Sequence, residues 1–323
     1  MITWRNSYQP PNTQHWTGRV DLNALPERFH QQVHCIDLRQ PLPSFNKPLI
    51  ALVGFCCDEG IRRNQGRVGA RQGPLALRQA LSSLAYHRYD RILLDVGDIV
   101  AVDGQLPKAQ QALADMVHFL LSQHIFPIVI GGGHETAWGH FQGLAQSGHS
   151  EVAICNIDAH FDLRDIPEDG ISTSGTSFWQ IAQYCQQYQI PFDYTCYGIQ
   201  RYANTTQLFM RSDELQVHYV YADSIHSGIP FMEEFSLQRL LKDKTPIYLT
   251  ICLDAFNLSV APGVSAPQVA GLWPHQVLPL IRHLLNTKRV VSLDVVELSP
   301  PYDQQQSTAK LAALLVAECI QYC

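Results

Sequence analysis

The sequence predicts a doubly wound α/β fold on a parallel sheet of about eight strands, and three observations carry that prediction. Short apolar runs rich in Val, Ile, Leu and Tyr recur without strict polar alternation, as strands buried on both faces require. Amphipathic stretches of helical period lie between and after them. Only 16% of the 323 residues are charged while 46% are hydrophobic. An ordinary soluble domain carries roughly 25% charge, so this chain is suited to burying a large two-faced sheet.

Residues 1–47, rich in Pro, Gln and Asn, read as an extended lead-in, and 48–323 read as a single domain. Strands are expected near 49–55, 91–95, 126–130, 151–157, 193–198, 216–221, 246–252 and 289–295. The clearest helices are expected at 74–85, 107–123, 274–286 and 306–321, the first with Pro74 at an early helical position.

Composition excludes several classes. The chain is too apolar for disorder. With 29 acidic and 23 basic residues and a net charge of −6, it does not suit a nucleic-acid partner held by phosphate contacts. The first residues lack the basic start and apolar run of a signal peptide. No run approaches the roughly 20 apolar residues of a membrane span, so no membrane partner is expected. Nine cysteines, an odd number without a CxxC pair, read as reduced thiols of a cytoplasmic protein.

Parallel sheets present functional residues just beyond the carboxyl ends of their strands, and three clusters stand there. Gly131-Gly132-Gly133-His134-Glu135-Thr136 follows the third strand. It reads as a glycine turn opening a helix, as a weak phosphate cradle lacking GK[ST] and GxGxxG, or as a ligand loop. Asp158, His160 and Asp162 alternate after the fourth strand and share one side of extended backbone. Unpaired charge there is costly to bury, and carboxylates with imidazole suit a divalent manganese, iron or zinc ion. Cys252 and Asp254 share a face after the seventh strand, ahead of Ala261-Pro262-Gly263; Cys252 by itself reads equally well as a small buried hydrophobe.

The order GGGHE, DAHFD and an acidic strand end followed by APG resembles the ureohydrolase family of arginases, agmatinases and formimidoylglutamases. The likeness spans Gly54 to Pro300 and includes the block Asn64 to Ala70, Arg78, and Asp95-Val96-Gly97-Asp98 in the loop after the second strand. It implies a three-layer α/β/α sandwich in which 48–323 is an arginase-like catalytic domain, and two Mn2+ ions per subunit. By position, His134 and His160 would each hold one ion, Asp158 and Asp162 would share in bridging, and Asp254 would bind from the far strand. Cys252 stands where many members have a bridging Asp; a softer thiolate puts the second ion in question.

Such a cation pair activates water to attack an amidine-like carbon. Glu297 and Asp162 are the expected catalytic carboxylates, with Glu297 clamping the planar nitrogen cation. Ser174, in Ser174-Gly175-Thr176, replaces the His that arginases and agmatinases use for proton transfer. Arg164 and Arg201, with Asn204, suit a substrate carboxylate, because a guanidinium fork matches it. These departures resemble formimidoylglutamase and imply hydrolysis of N-formimino-L-glutamate to L-glutamate and formamide, in histidine degradation. The alternatives are an agmatinase-like or other guanidino-acid hydrolase, or a non-catalytic binding protein of the same fold. A small-molecule amidine is the expected partner, and homo-oligomers are compatible with the low surface charge.

Overall fold

The computed structural model describes residues 3–21, 25–228, 235–242 and 244–323. The parts of the expected lead-in at 1–2 and 22–24 lie outside the described residues. Ten strands form one sheet: β1 (Tyr8–Gln9), β2 (His34–Cys35), β3 (Leu49–Cys56), β4 (Ile92–Val100), β5 (Ile125–Ile130), β6 (Ala153–Ile157), β7 (Asp193–Ile199), β8 (His218–Tyr221), β9 (Ile247–Cys252) and β10 (Val290–Val296). The eight expected strands are all present. The count rises to ten because β1 and β2, both in the lead-in, pair with β4, the end strand of the expected eight, β1 antiparallel and β2 parallel. Two-residue strands have no periodicity of their own and exist through their partner.

The eleven helices among the described residues are α1 (Phe29–Gln32), α2 (Glu59–Arg63), α3 (Gly73–Ser82), α4 (Leu106–Ser122), α5 (Thr136–Gln146), α6 (Ser177–Tyr188), α7 (Thr206–Glu214), α8 (Ala222–His226), α9 (Phe235–Lys242), α10 (Pro274–Asn286) and α11 (Ser307–Tyr322). They form two outer layers. Alternate residues of β3 show how: Ile50 and Leu52 join the core beneath α3, α10 and α11, while Ala51 and Val53 join the core beneath α4, α5 and α6. This is the three-layer sandwich. Pro at the start of α3, α4 and α10 fits positions whose N–H groups would be unpaired in any case.

The strand order is β1-β4-β3-β5-β10-β9-β6-β7-β8. The chain leaves β5, continues at β6 three places away, and returns last to fill the two-strand gap with β9 and β10. The four central strands therefore come from distant parts of the sequence. Their register aligns their ends: Val295 pairs with Ile130 and Ile251, and Ile157 pairs with Ile251. Whatever follows those residues shares one rim.

One element differs from expectation. Asp95 to Asp98 do not follow the second expected strand but lie within it, since β4 runs on to Val100. Gly97, with φ +84°, lets the strand bend there. The fully buried Arg78 receives the carboxylates, reaching Asp95 at 2.9 Å and Asp98 at 2.7 Å, and Trp16 donates to Asp95 at 2.7 Å. Paired in this way, acids fit inside a strand that unpaired ones would break.

Candidate active site

The aligned rim gathers the three expected clusters and Glu297. His134 follows β5, Asp158 to Asp162 follow β6, Cys252 and Asp254 close β9, and Glu297 follows β10. A cavity of about 200 Å3 opens over them. It is smaller than the roughly 300–1,000 Å3 of drug-sized pockets, which suits a small metabolite.

The ligand atoms fall into two groups that share Asp158. His134, Asp158 and Cys252 form one, and Asp158, His160 and Asp254 the other, with donor atoms within 4.8 Å of one another in each. His134 Nδ1 stands 2.9 Å from an oxygen of Asp158 and 2.9 Å from one of Asp162. It is buried yet has no hydrogen-bond partner, and the same holds for Asp254 Oδ1 and Glu297 Oε2. Three such atoms around one cavity are what a cation site presents to its ion, because most buried polar atoms are satisfied. Asp162 keeps to the His134 side, while His160 Nδ1 lies 3.2 Å from Asp254 and 3.5 Å from Asp158. The carboxylate common to both groups is Asp158, not Asp162.

Electrostatics point the same way. Burial lowers the proton affinity of His134 and His160, but adjoining carboxylates overcome it and hold both well above the ordinary histidine range. Burial and the charge of Asp158 push Asp162 and Asp254 up. Burial raises the Cys252 thiol and Glu297 too, reinforced by neighbouring carboxylates. Asp158 alone among these acids is held low: burial opposes its charge, but His134 and His160 outweigh it. Oxygen-rich and net negative, with two imidazoles and one thiol, this donor set fits hard divalent cations such as manganese.

The backbone is shaped to this end. Asp162 (φ +48°) and Glu297 (φ +72°) are both left-handed, a conformation costing on the order of 1 kcal/mol or more and concentrated at functional sites. Glu297 Oε1 accepts the His134 N–H at 2.9 Å and so ties the β10 loop to the glycine turn. That turn is no phosphate cradle: a Cβ on Gly132 would lie 1.7 Å from the Cys57 carbonyl. The glycine lets the His134 loop press against the end of β3.

The remaining expected residues separate by position. Arg164, Ser174 and Asn204 line the cavity, and Arg164 has no ion-pair partner among the described residues. Asn204 spends its amide on the DAHFD loop, accepting from Phe161 and donating to Ala159 and Gln200. Gly175 leaves room for Arg164, whose Cδ a Cβ there would meet at 2.8 Å. Thr176 is buried and bonds Thr173 and Gln180. Arg201 is exposed, lies outside the cavity lining and stacks 4.4 Å over the Tyr221 ring. Sequence reasoning missed Asn64, Gly66, Ala203, Leu208, Ser265 and Ala266, which complete the lining; the first two lie in a block noted only for its family likeness. It also missed Asn156, which donates to Asp158 at 3.1 Å and to Tyr194 at 2.9 Å.

All nine cysteines are free thiols, seven of them buried. No helix among the described residues is long and apolar enough to cross a membrane.

Comparison with known proteins gives the family and the fold. The sequence profile of the arginase family matches residues 49–321. A formimidoylglutamase of Legionella pneumophila (strain Paris) is 42% identical over 320 residues, covering 98% of each chain. One of Clostridium tetani is 39% identical, covering 97% of this chain and 96% of that protein. Among solved structures, the Trypanosoma cruzi formiminoglutamase with Mn2+ superposes with a TM-score of 0.77 at 25% identity, over 84% of this chain and 92% of that one. The Bacillus subtilis formimidoylglutamase shares the fold, with a TM-score of 0.81 over 94% of both chains at 22% identity. The chain belongs to the arginase family.

Proposed function

We propose that the chain is a formimidoylglutamase, hydrolysing the C–N bond of N-formimino-L-glutamate to L-glutamate and formamide with two Mn2+ ions. The observation that carries this reading is the pair of ligand groups sharing Asp158, with His134 Nδ1, Asp254 Oδ1 and Glu297 Oε2 left without partners. Full-length similarity to formimidoylglutamases supports the choice of substrate.

His134, Asp158, Asp162 and Cys252 would hold one ion, and Asp158, His160 and Asp254 the other. When bound, the ions supply Lewis-acid activation of water and neutralise the buried carboxylates. The residues around them do the positioning. Glu297 presents Oε2 to the cavity while Oε1 is fixed by the His134 N–H, so one carboxylate oxygen is free to hold the planar N–CH=NH2 cation of the substrate. Arg164 offers its unpaired guanidinium to a glutamate carboxylate. Ser174 can hydrogen-bond but cannot carry a proton near neutral pH, so the leaving amine takes its proton from water or from a carboxyl group of the cavity. This residue separates the chain from guanidine hydrolases that keep a His there.

Mn2+-loaded protein, assayed in parallel on N-formimino-L-glutamate, arginine, agmatine and guanidinobutyrate, tests the reading. Formamide and glutamate are expected at the highest kcat/KM. Faster turnover of a guanidine would sink the substrate assignment, and turnover of none would favour a binding protein.

A further inference from the structure

Beneath the site, a file of buried polar groups runs down one face of β9 and β10, where the helix-facing core would ordinarily be apolar. It begins at the far nitrogen of His134: Nε2 lies 3.1 Å from Thr250 Oγ1. Thr250 donates to Asp294 Oδ1 at 2.6 Å. The other oxygen of Asp294 accepts from the Tyr248 hydroxyl and meets His140 Nδ1 at 2.7 Å. His140 Nε2 ends the file on Ser292 Oγ at 2.6 Å, and Ser292 donates to the Pro127 carbonyl at 2.9 Å. His134, Thr250, Tyr248, Asp294, His140 and Ser292 are at most 2% exposed.

Register explains the file. Tyr248 pairs with Ser292, Thr250 with Asp294, and Cys252 with Val296, so the strands place these side chains in successive rows below the rim. His140 enters from α5, the helix opened by the His134 loop. It packs edge-on to Tyr248, ring centroids 4.7 Å apart.

A carboxylate, an imidazole and three hydroxyls in a core cost more than apolar residues of the same volume unless every group is satisfied. Their directions suggest a use. With the Thr250 hydroxyl hydrogen committed to Asp294, Thr250 Oγ1 can only accept from His134. In the neutral, metal-binding form the proton of His134 is thereby held on Nε2, which leaves the Nδ1 lone pair for an ion beside Asp158. Hydrogen bonding at the far nitrogen fixes the tautomer and strengthens the donor atom of metal-binding histidines, and losing it typically costs 10–100-fold in metal affinity.

We propose that His140 and Thr250 are positioning residues for the His134 metal: His140 holds Asp294 in place, and Asp294 acts through Thr250 on the His134 tautomer. This rests on the metal reading given above. Neither residue touches the cavity, so a merely structural role would change stability and leave Mn2+ affinity unmoved.

The test is Mn2+ titration by calorimetry on the full chain, for Thr250→Val, Thr250→Ser, His140→Phe and Ser292→Ala, beside melting of each metal-free protein. Thr250→Val removes one hydroxyl at nearly constant volume and should weaken one Mn2+ site roughly 10–100-fold, while Thr250→Ser should restore affinity to within a few-fold of the parent. His140→Phe should weaken the same site. If His140→Phe does not fold, Ser292→Ala, which frees the same ring from below, should give a smaller loss in the same direction. Affinities within twofold of the parent for Thr250→Val and for whichever ring variant folds, whatever the change in melting, overturn the proposal. A parent chain that binds no Mn2+ overturns the metal reading itself, and this proposal with it.

Discussion

Two clusters of buried charge in this molecule look alike in composition and differ in purpose. Around Arg78, the guanidinium donates to Asp95, Asp98 and the Gly97 carbonyl, and Trp16 and the Gly97 N–H take further lone pairs of Asp95. Both carboxylates are held by this guanidinium, although Arg78 Nε itself has no hydrogen-bond partner. At the central rim, Asp158, Asp162, Asp254, Glu297 and the Cys252 thiol crowd together, with two imidazoles and no ion-paired Lys or Arg among the described residues. There, atoms are left without partners. A cluster closed on itself ties the lead-in to the sheet. A cluster of acids without a cationic partner is what we propose as the metal site. What distinguishes the two is that the acids of one are matched by a guanidinium and those of the other are not, rather than the burial of charge.

The contrast can be broken at either end. The largest effect is expected from Asp158→Asn, which removes the carboxylate common to both ligand groups. Since residues one shell further out already cost 10–100-fold in metal affinity or activity, kcat/KM should fall by more than about 100-fold, with metal content reduced; a folded variant with both at parental level would remove Asp158 from the site. Arg78→Leu should do the reverse. Breaking a buried ion pair from one side typically costs about 3–5 kcal/mol, so denaturant unfolding should shift by that much while Mn2+ affinity of the folded fraction holds.

Proton linkage gives a sign test. In chelated protein, Asp162, Asp254, Glu297, His134 and His160 all have folded-state values raised above their unfolded ones. Each contributes stability that is full below its unfolded value, about 4 for the acids and 6.5 for histidine, and is lost as pH rises through the folded value. Asp158 runs the other way but only at strongly acid pH. Melting of the metal-free chain should therefore fall as pH rises above the ordinary carboxylate range of about 4. Saturating Mn2+, which binds the deprotonated ligands, should flatten or reverse that slope and add about 2.7 kcal/mol at 100 times its dissociation constant. A chelated chain whose melting rises with pH above that range contradicts the account.

Arg164→Ala should raise KM by about 10–100-fold, the value of one charged hydrogen bond, with a smaller change in kcat. Arg201→Ala, an exposed residue outside the cavity, should change KM less than about threefold, as surface substitutions stay near 0.5 kcal/mol. Equal effects would return Arg201 to the substrate. The smallest effect is expected from Cys252→Asp: oxygen in place of sulfur should favour Mn2+ over Zn2+ by severalfold, read as a competition titration.

Much of this was legible in the sequence, and the limits have physical causes. Strands buried on both faces announce themselves as apolar runs, and acids placed just after such runs are too costly to be incidental. Asp158, His160, Asp162 and Asp254 stood out for that reason, while His134, Cys252 and Glu297 took their roles from the family resemblance. Asn156, Thr250, Asp294 and His140 did not, because a lone polar residue in a strand or helix has no partner until sheet register supplies one. Arg164 and Arg201 looked equivalent, since loops carry no period to say which guanidinium faces a cavity and which lies over Tyr221. Asp95 and Asp98 resembled a loop motif because their counter-charge, Arg78, sits on α3.

The most direct test of the account is the number of Mn2+ ions the reduced chain binds, measured by elemental analysis after equilibrium dialysis. Two per chain, falling to one or fewer in Asp158→Asn, is the predicted result. Less than one per chain in the unaltered protein would contradict it.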